Sequence, residues 1–522
     1  MLAGMVAMLL VSCRQSLPSQ NMSDRIVLGT TAKVSTIDPA DASSSFAGTL
    51  LYNLSDRLYT YKLGTTELEP QLASALPQVS ADGLVYKIPL RKGVVFHDGT
   101  SFNAAAMAFS LNRLRENQGS SPISLSEAKS IVATGEYELT ITLKKPFTAF
   151  PALLTFTGTA AVSPKAYEIK ENSFKPKEFV GTGPYKLTQF GTDLIRLEPF
   201  EQYWGGKPQN AGVDVQLLSS GANLYNAFRT GKIDLALQGL AVEQIRNLQG
   251  AAGQRGWQMI ERGGSGINYI VPNFKSPPLD QLEVRQALAL AVDRSLLQER
   301  VFAGQVEPLY SLLPNQMAGQ TQVFRETYGD GQFDRAKELL KRAGFSAQNP
   351  AVVELWYRSN ITTDQFVALT LKALIKQKLD GLMRLDLNSV ESTTAYGRLN
   401  QSVYPSFILD WSGDYFDPDT YVYPFIECEE GENQICKSGQ TPEGGSFYFS
   451  EAANQLVAAS RKERDPAKRQ QILGQIQQLV AQDVPYIPLW QGKDYLFIQK
   501  GITGASLEVT QKVPLWQLRK GS

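Results

Sequence analysis

The segment Trp411-Ser412-Gly413-Asp414-Tyr415 sets a carboxylate among aromatic residues, with a glycine beside it. That combination suits an ammonium group. The carboxylate supplies charge and a charge-assisted hydrogen bond, ring faces attract a cation, and glycine lets the backbone come close. The same Asp414 could instead be a turn residue bonding its own backbone, and both readings stay open. Asp417 and Asp419, on either side of Pro418, read as turn and cap residues. Trp411 and Tyr415 either line a cleft or fill a core. Arg358, in Trp356-Tyr357-Arg358-Ser359-Asn360, ends an apolar run, and its planar fork matches a carboxylate. The alternative is a solvated surface arginine. His97, beside Asp98-Gly99, is expected to be structural, because no Ser or Cys nucleophile accompanies it. Gly264-Ser265-Gly266 is expected to be a turn and lacks the strand–elbow–helix setting of a hydrolase nucleophile. One His and three Cys in 522 residues argue against a His/Cys metal site. No catalytic residue, metal or cofactor is expected.

The chain carries 51 Lys plus Arg against 51 Asp plus Glu, with 43% hydrophobic and 10% aromatic residues. That is globular composition, long enough for two to four domains, and it lacks the basic excess of a nucleic-acid binder. Met1 to Ser12 is uncharged and apolar, too short to span a bilayer but right for the apolar region of a secretory signal. Small residues before Cys13 resemble a bacterial lipobox, which would lipidate that cysteine and anchor the protein to a membrane. No Lys or Arg precedes the run, so either the true start lies upstream of Met1 or the run is not a signal. Arg14 to Ser23 reads as a tether. In an exported protein Cys428 and Cys436 lie in an oxidising space and are expected to close a small disulfide loop; two free thiols are the alternative.

The elements that must position these groups alternate between strand and helix. Tyr137 to Lys144 alternates strictly, with Tyr137, Leu139, Ile141 and Leu143 on one face, which predicts a half-buried strand. Ala104, Met107, Leu111 and Leu114 share a helical face behind Asn103 as N-cap. Asp280 and Glu283 have capping-box spacing ahead of Val284, Ala287, Leu288, Ala291 and Val292, and Pro277-Pro278 predicts an extended lead-in. Asp465-Pro466 opens another helix with a predicted stripe of Ile472, Ile476, Leu479 and Val480, ending before Pro485. The apolar run Tyr486 to Trp490 follows. Strands interleaved with helices at this size predict α/β lobes.

Five segments in order resemble the extracellular solute-binding proteins of the dipeptide/oligopeptide type, family 5. They are VVFHDGTSFNAAAMAFSLNRL at Val94 to Leu114, VGTGPYKL at Val180 to Leu187, and Asn273 with PPLD and VRQALALAVDR to Arg294. WSGDYFDPD at Trp411 to Asp419 and DVPYIPL at Asp483 to Leu489 complete the set. Asn103-Ala104-Ala105-Ala106 departs in lacking an acidic residue ahead of its helix. The resemblance implies an α/β, two-lobe periplasmic-binding-protein fold (type II, large cluster), hinge-connected, with a subdomain inserted in the first lobe. The expected division is residues 1–23 as signal and tether, 24–59, 180–271 and 485–522 as lobe I, 60–179 as the insert, and 272–484 as lobe II. The chain would leave the first lobe near Pro272 and return near Pro485. The resemblance places a peptide's α-amino anchor at Asp414, with Trp411, Tyr415 and Arg358 as further ligand candidates. It implies a monomeric binding protein, lipid-anchored in the cell envelope, that delivers peptides to an ABC importer. A sugar, opine, haem or nickel ligand in the same fold, a secreted peptide hydrolase and a sensor are the alternatives. The single His disfavours nickel.

Overall fold

The computed structural model describes residues 24–521 apart from 122 and 124. The apolar run, Cys13 and the tether lie outside the described residues. Among those described, no helix is long and apolar enough to cross a membrane.

Two long antiparallel strands, Gln258–Pro272 and Ile487–Ile498, organise the molecule. They pair with each other from Gln258 opposite Ile498 to Ile270 opposite Ile487. At one end Leu235–Leu237 adds to the Leu496–Ile498 stretch, and Ile26–Thr30, Val213–Leu217, Leu194–Pro199 and Tyr185–Phe190 continue the sheet outward. At the other end Ser406–Ser412 adds to Gly266–Pro272, followed by Ala351–Arg358 and Met383–Val390. One eleven-stranded sheet therefore runs through both halves, and only the two long strands belong to both. Their pairing shifts register between Gly263 and Ile267. Gly264-Ser265-Gly266, expected as a turn, is this irregular stretch of strand. A Cβ on Gly264 would come within 3.0 Å of both the Gly492 carbonyl and Asp494 Oδ2, so glycine is what lets the strands pass here.

The buried apolar residues fall into separate clusters. One gathers residues between 267 and 490, and a second gathers the strands around Ile26–Thr30 together with residues 496–518. A smaller one surrounds Phe228. A fourth belongs to a four-stranded sheet, Gln78–Val79, Val85–Pro89, Glu138–Leu143 and Ala128–Gly135, backed by the helix Ala104–Glu116.

Local signals explain most of these elements. Asn103 Oδ1 accepts the Ala106 N–H at 3.0 Å, and Ala104, Met107, Leu111 and Leu114 are buried as their spacing predicts. Leu139, Ile141 and Leu143 are buried on one face of their strand. The helix after the two prolines departs from expectation. It begins at Leu282 behind Gln281, and no Asp280–Glu283 capping box forms. The buried Arg285 guanidinium takes the Leu279 and Asp280 carbonyls instead, while Leu279 N–H closes a turn on Ser276. The lead-in is therefore a turn and not an extended segment. Asp465 caps the helix Pro466–Asp483 as expected. Its buried face is rotated, with Leu473, Ile476, Gln477, Val480 and Ala481 inside, and Ile472 and Leu479 on the flanks. Gln477 can be buried because its amide is satisfied by Gly319, Leu473 and Thr321 backbone groups, which a hydrophobic count does not register.

Candidate functional site

Where the halves meet, a cavity of about 250 Å³ lies between them. Its wall draws on the start of the helix Ser45–Leu54, the strand Tyr59–Tyr61, residues 155–157, Ser265, the loop 412–416 and the loop 508–512. In α/β sheets ligands collect where strand ends and connections open a crevice, and this is such a place. Direct bonds cross between the halves around it: Tyr61 Oη donates to the Phe416 carbonyl at 3.0 Å, and Thr148 N–H to the Arg461 carbonyl at 2.7 Å.

The loop bearing Asp414 is held from behind. Tyr421 Oη donates to the Ser265 carbonyl at 2.7 Å and accepts the Gly413 N–H at 3.1 Å, tying the loop to the crossing strand. A Cβ on Gly413 would lie 2.6 Å from Thr420 and 2.8 Å from Tyr421, so the close approach read from the sequence is real, although it is to protein. Asp414 lines the cavity. Its carboxylate has neither a hydrogen bond nor an ion pair among the described residues. Burial pushes its pKa up to about 6, opposed by the charge of Lys512. It is not a turn residue bonding its own backbone.

Of the other sequence candidates, Tyr415 joins Asp414 in the cavity wall, with its hydroxyl given to Asp419 at 3.1 Å and its ring packed edge-on against Phe147. Trp411 stands outside the wall. Its Nε1 donates to the Thr420 carbonyl at 2.8 Å, and its ring meets Phe425 at a right angle. Arg358 is neither solvated nor at the cavity. It is 6% exposed, bonded to Asp364 at 2.7 Å, to Asp410 and to Tyr396, so its fork is occupied within the protein. Asp417 accepts the Asp419 N–H and holds Arg469 through both oxygens. Asp419, expected as a turn or cap residue, is buried against Arg461 at 3.2 Å, and the helix it begins has no side-chain cap.

His97 sits in a backbone frame. Nδ1 accepts the Gly181 N–H, which leaves Nε2 as the donor to the Gly183 carbonyl at 3.1 Å. Burial pushes its pKa down to about 4, so it is neutral at physiological pH. Cys428 and Cys436 are joined as a disulfide across a hairpin. Among the described residues no group of His, Cys, Asp and Glu could hold a metal ion.

Among the polar wall residues that sequence reasoning missed are Tyr52, Arg57, Tyr61, Glu508 and Lys512. Arg57 carried a usable signal, since Asp56-Arg57 is the charged pair in an otherwise uncharged stretch from Leu50 to Tyr61. Lys512 carried none. Asp494, in an adjoining cavity of about 130 Å³ that shares Gln511 with the first, is a second carboxylate pushed up to about 6 by burial.

Comparison with known proteins agrees with this architecture. Residues 67–433 match the family described as bacterial extracellular solute-binding proteins, family 5 Middle. The chain is 28% identical over 524 residues to the glutathione-binding protein GsiB of Escherichia coli O6:K15:H31, covering 96% of this chain and 94% of that protein. The solved structure of HbpA2 from Haemophilus parasuis superimposes with a TM-score of 0.81 at 21% identity, covering 95% of this chain and 99% of that one. DppA from Helicobacter pylori, in complex with the peptide STSA, superimposes with a TM-score of 0.74 at 24% identity, over 95% and 98% of the two chains. The fold is the two-lobe, hinge-connected α/β fold of periplasmic binding proteins.

Proposed function

The chain belongs to the bacterial extracellular solute-binding proteins of family 5, and from that premise we propose that it captures a short peptide in the cavity at the crossing strands and delivers it to an ABC importer. The observation that carries this reading is Asp414: a partly desolvated carboxylate in a cavity, with aromatic neighbours and no partner among the described residues. A charge of that kind costs stability unless something cationic completes it. A peptide's α-ammonium does so with a charge-assisted hydrogen bond. Glutathione, which gives the GsiB relatives their name, is itself a tripeptide with one ammonium and is the first compound to assay.

In this reading residues 24–59, 180–271 and 485–522 act as lobe I, 60–179 as its insert and 272–484 as lobe II, moving about the Gly263–Ile267 stretch. Ligand adds contacts available only when the lobes are together and so shifts the open–closed equilibrium toward the closed state. The protein works as a monomer in the cell envelope, anchored by lipid at Cys13. Replacing Cys13 with Ser in the full gene, any upstream start included, is expected to release it from membranes; unchanged membrane association removes the anchor. The binding reading is tested by calorimetry with tripeptides and with their N-acetylated forms. Free peptides are expected to bind and acetylated ones to bind at least tenfold more weakly. Equal binding of both removes Asp414 as the ammonium site.

A further inference from the structure

The cavity that holds Asp414 also holds two cations for which the described residues supply no contacting anion. Arg57 is 1% exposed. Its Nη1 donates to the Ser55 carbonyl at 3.0 Å and reaches the Tyr52 carbonyl at 3.5 Å, and its Nε finds no acceptor. It forms no ion pair among the described residues. Asp56, next to it in sequence, is taken by Gln71, Thr182, Tyr203 and Trp204. The ammonium of Lys512 spends one donor on the Ser45 carbonyl at 3.1 Å. Glu508, in the same wall, is occupied by Gly64 N–H and the Ser506 hydroxyl. Asp414 and Asp494 both act on Lys512 through space, but neither reaches ion-pair distance, and Arg57 repels it. A desolvated cation without a contacting anion is expensive, and two such cations in one cavity are doubly so.

A second observation points the same way. Gly48 lies within the helix Ser45–Leu54, where glycine is less favourable than alanine. A Cβ there would lie 2.9 Å from Lys512 Nζ and 3.2 Å from its Cε. The missing methyl is what leaves the ammonium its seat against the helix.

We infer that Arg57, Lys512 and Gly48 form a carboxylate-reading end of the cavity, so that the ligand is a short zwitterion whose free carboxylate and ammonium are both enclosed. This deepens the proposed function and rests on Asp414 taking the ammonium. It also bounds the ligand. A sphere of the cavity's volume is about 8 Å across, room for two or three residues at roughly 3.5 Å each.

The test presents the full chain, washed free of ligand, with three portions of a casein hydrolysate: untreated, acetylated at its amines, and methyl-esterified at its carboxyls. Retained compounds are read by mass spectrometry, with glutathione as a single-compound control. Retention of di- and tripeptides from the untreated portion, and at least tenfold less from the esterified one, is expected. Equal retention from the esterified portion overturns the carboxylate end while leaving the ammonium reading intact. Equal retention from the acetylated portion overturns the ammonium reading and with it the zwitterionic ligand, and retention from none overturns both ends. Gly48→Ala should unfold no more easily than wild type yet bind free-carboxylate peptides at least tenfold more weakly, with Lys512→Met doing the same to affinity. Binding by both variants within threefold of wild type overturns the inference.

Discussion

Asp414→Asn should make the ligand-free protein more stable and the binding protein worse. Burial raises this carboxyl from the ordinary 3.8 to about 6. An acid whose pKa is higher folded than unfolded holds its proton more tightly in the folded state, so its contribution to stability falls as pH rises from about 4 to about 6 and stays low above that. The difference of roughly two pKa units corresponds to about 3 kcal/mol of destabilisation at neutral pH. Asparagine keeps the shape and removes the charge. Urea denaturation of ligand-free protein should therefore show the variant more stable at pH 7.5, by up to about 3 kcal/mol, with the gap closing toward pH 4. Binding should move the other way. A carboxyl of pKa about 6 is about nine-tenths ionised at pH 7 and one-tenth at pH 5, so wild-type affinity for a free tripeptide should fall about tenfold over that interval. An ordinary carboxyl at 3.8 would leave affinity nearly flat there. Asp494 titrates in the same region and must be separated from it. Asp494→Asn should retain the slope and Asp414→Asn should lose it. A variant no more stable than wild type at pH 7.5, or a slope that survives Asp414→Asn, refutes the reasoning.

Arg358→Met should destabilise the fold by about 3–5 kcal/mol, because it strands the buried Asp364 carboxylate. Its effect on ligand affinity should stay within a few-fold, checked by denaturation and calorimetry on one preparation; a large loss of affinity in a stable variant would return Arg358 to the ligand. Replacing Cys428 and Cys436 together with Ser should cost about 2–3 kcal/mol, from the loop-closure entropy of a bridge with a sequence separation of 8, and an unchanged denaturation midpoint would show that the hairpin does not depend on it. Saturating ligand should lower the radius of gyration in solution scattering, since the Tyr61–Phe416 and Thr148–Arg461 bonds exist only with the halves together. Identical scattering with and without ligand removes the closing motion.

The recognisable segments turn out to be architecture more than chemistry. His97 is framed by Gly181 and Gly183, so two of the five segments meet in one contact. Arg113 closes a bidentate pair with Asp38 at 2.7 Å with both residues buried, and Arg285 and Arg294 hold backbone carbonyls from within the core. Such residues leave a local trace, because a buried polar group needs fixed partners at fixed spacing. Asp414 was readable for a related reason: Gly413, Tyr415 and Tyr421, which shape its loop, lie within a few residues of it. The periodic helices and strands were readable because burial repeats with the geometry of one element. What failed was set from outside the element, as with the turn that Arg285 imposes ahead of its helix and the face that Gln477 rotates inward. The rest of the cavity left little local trace: a charged pair in an uncharged stretch for Arg57, and nothing for Lys512. Arg57 and Lys512 are far apart in the sequence, and their setting is defined by what is missing around them among the described residues: a contacting acid for Arg57, a methyl group on Gly48 for Lys512. An absence of partners belongs to packing in three dimensions, so unpaired charges of this kind become visible only once the fold has brought them together.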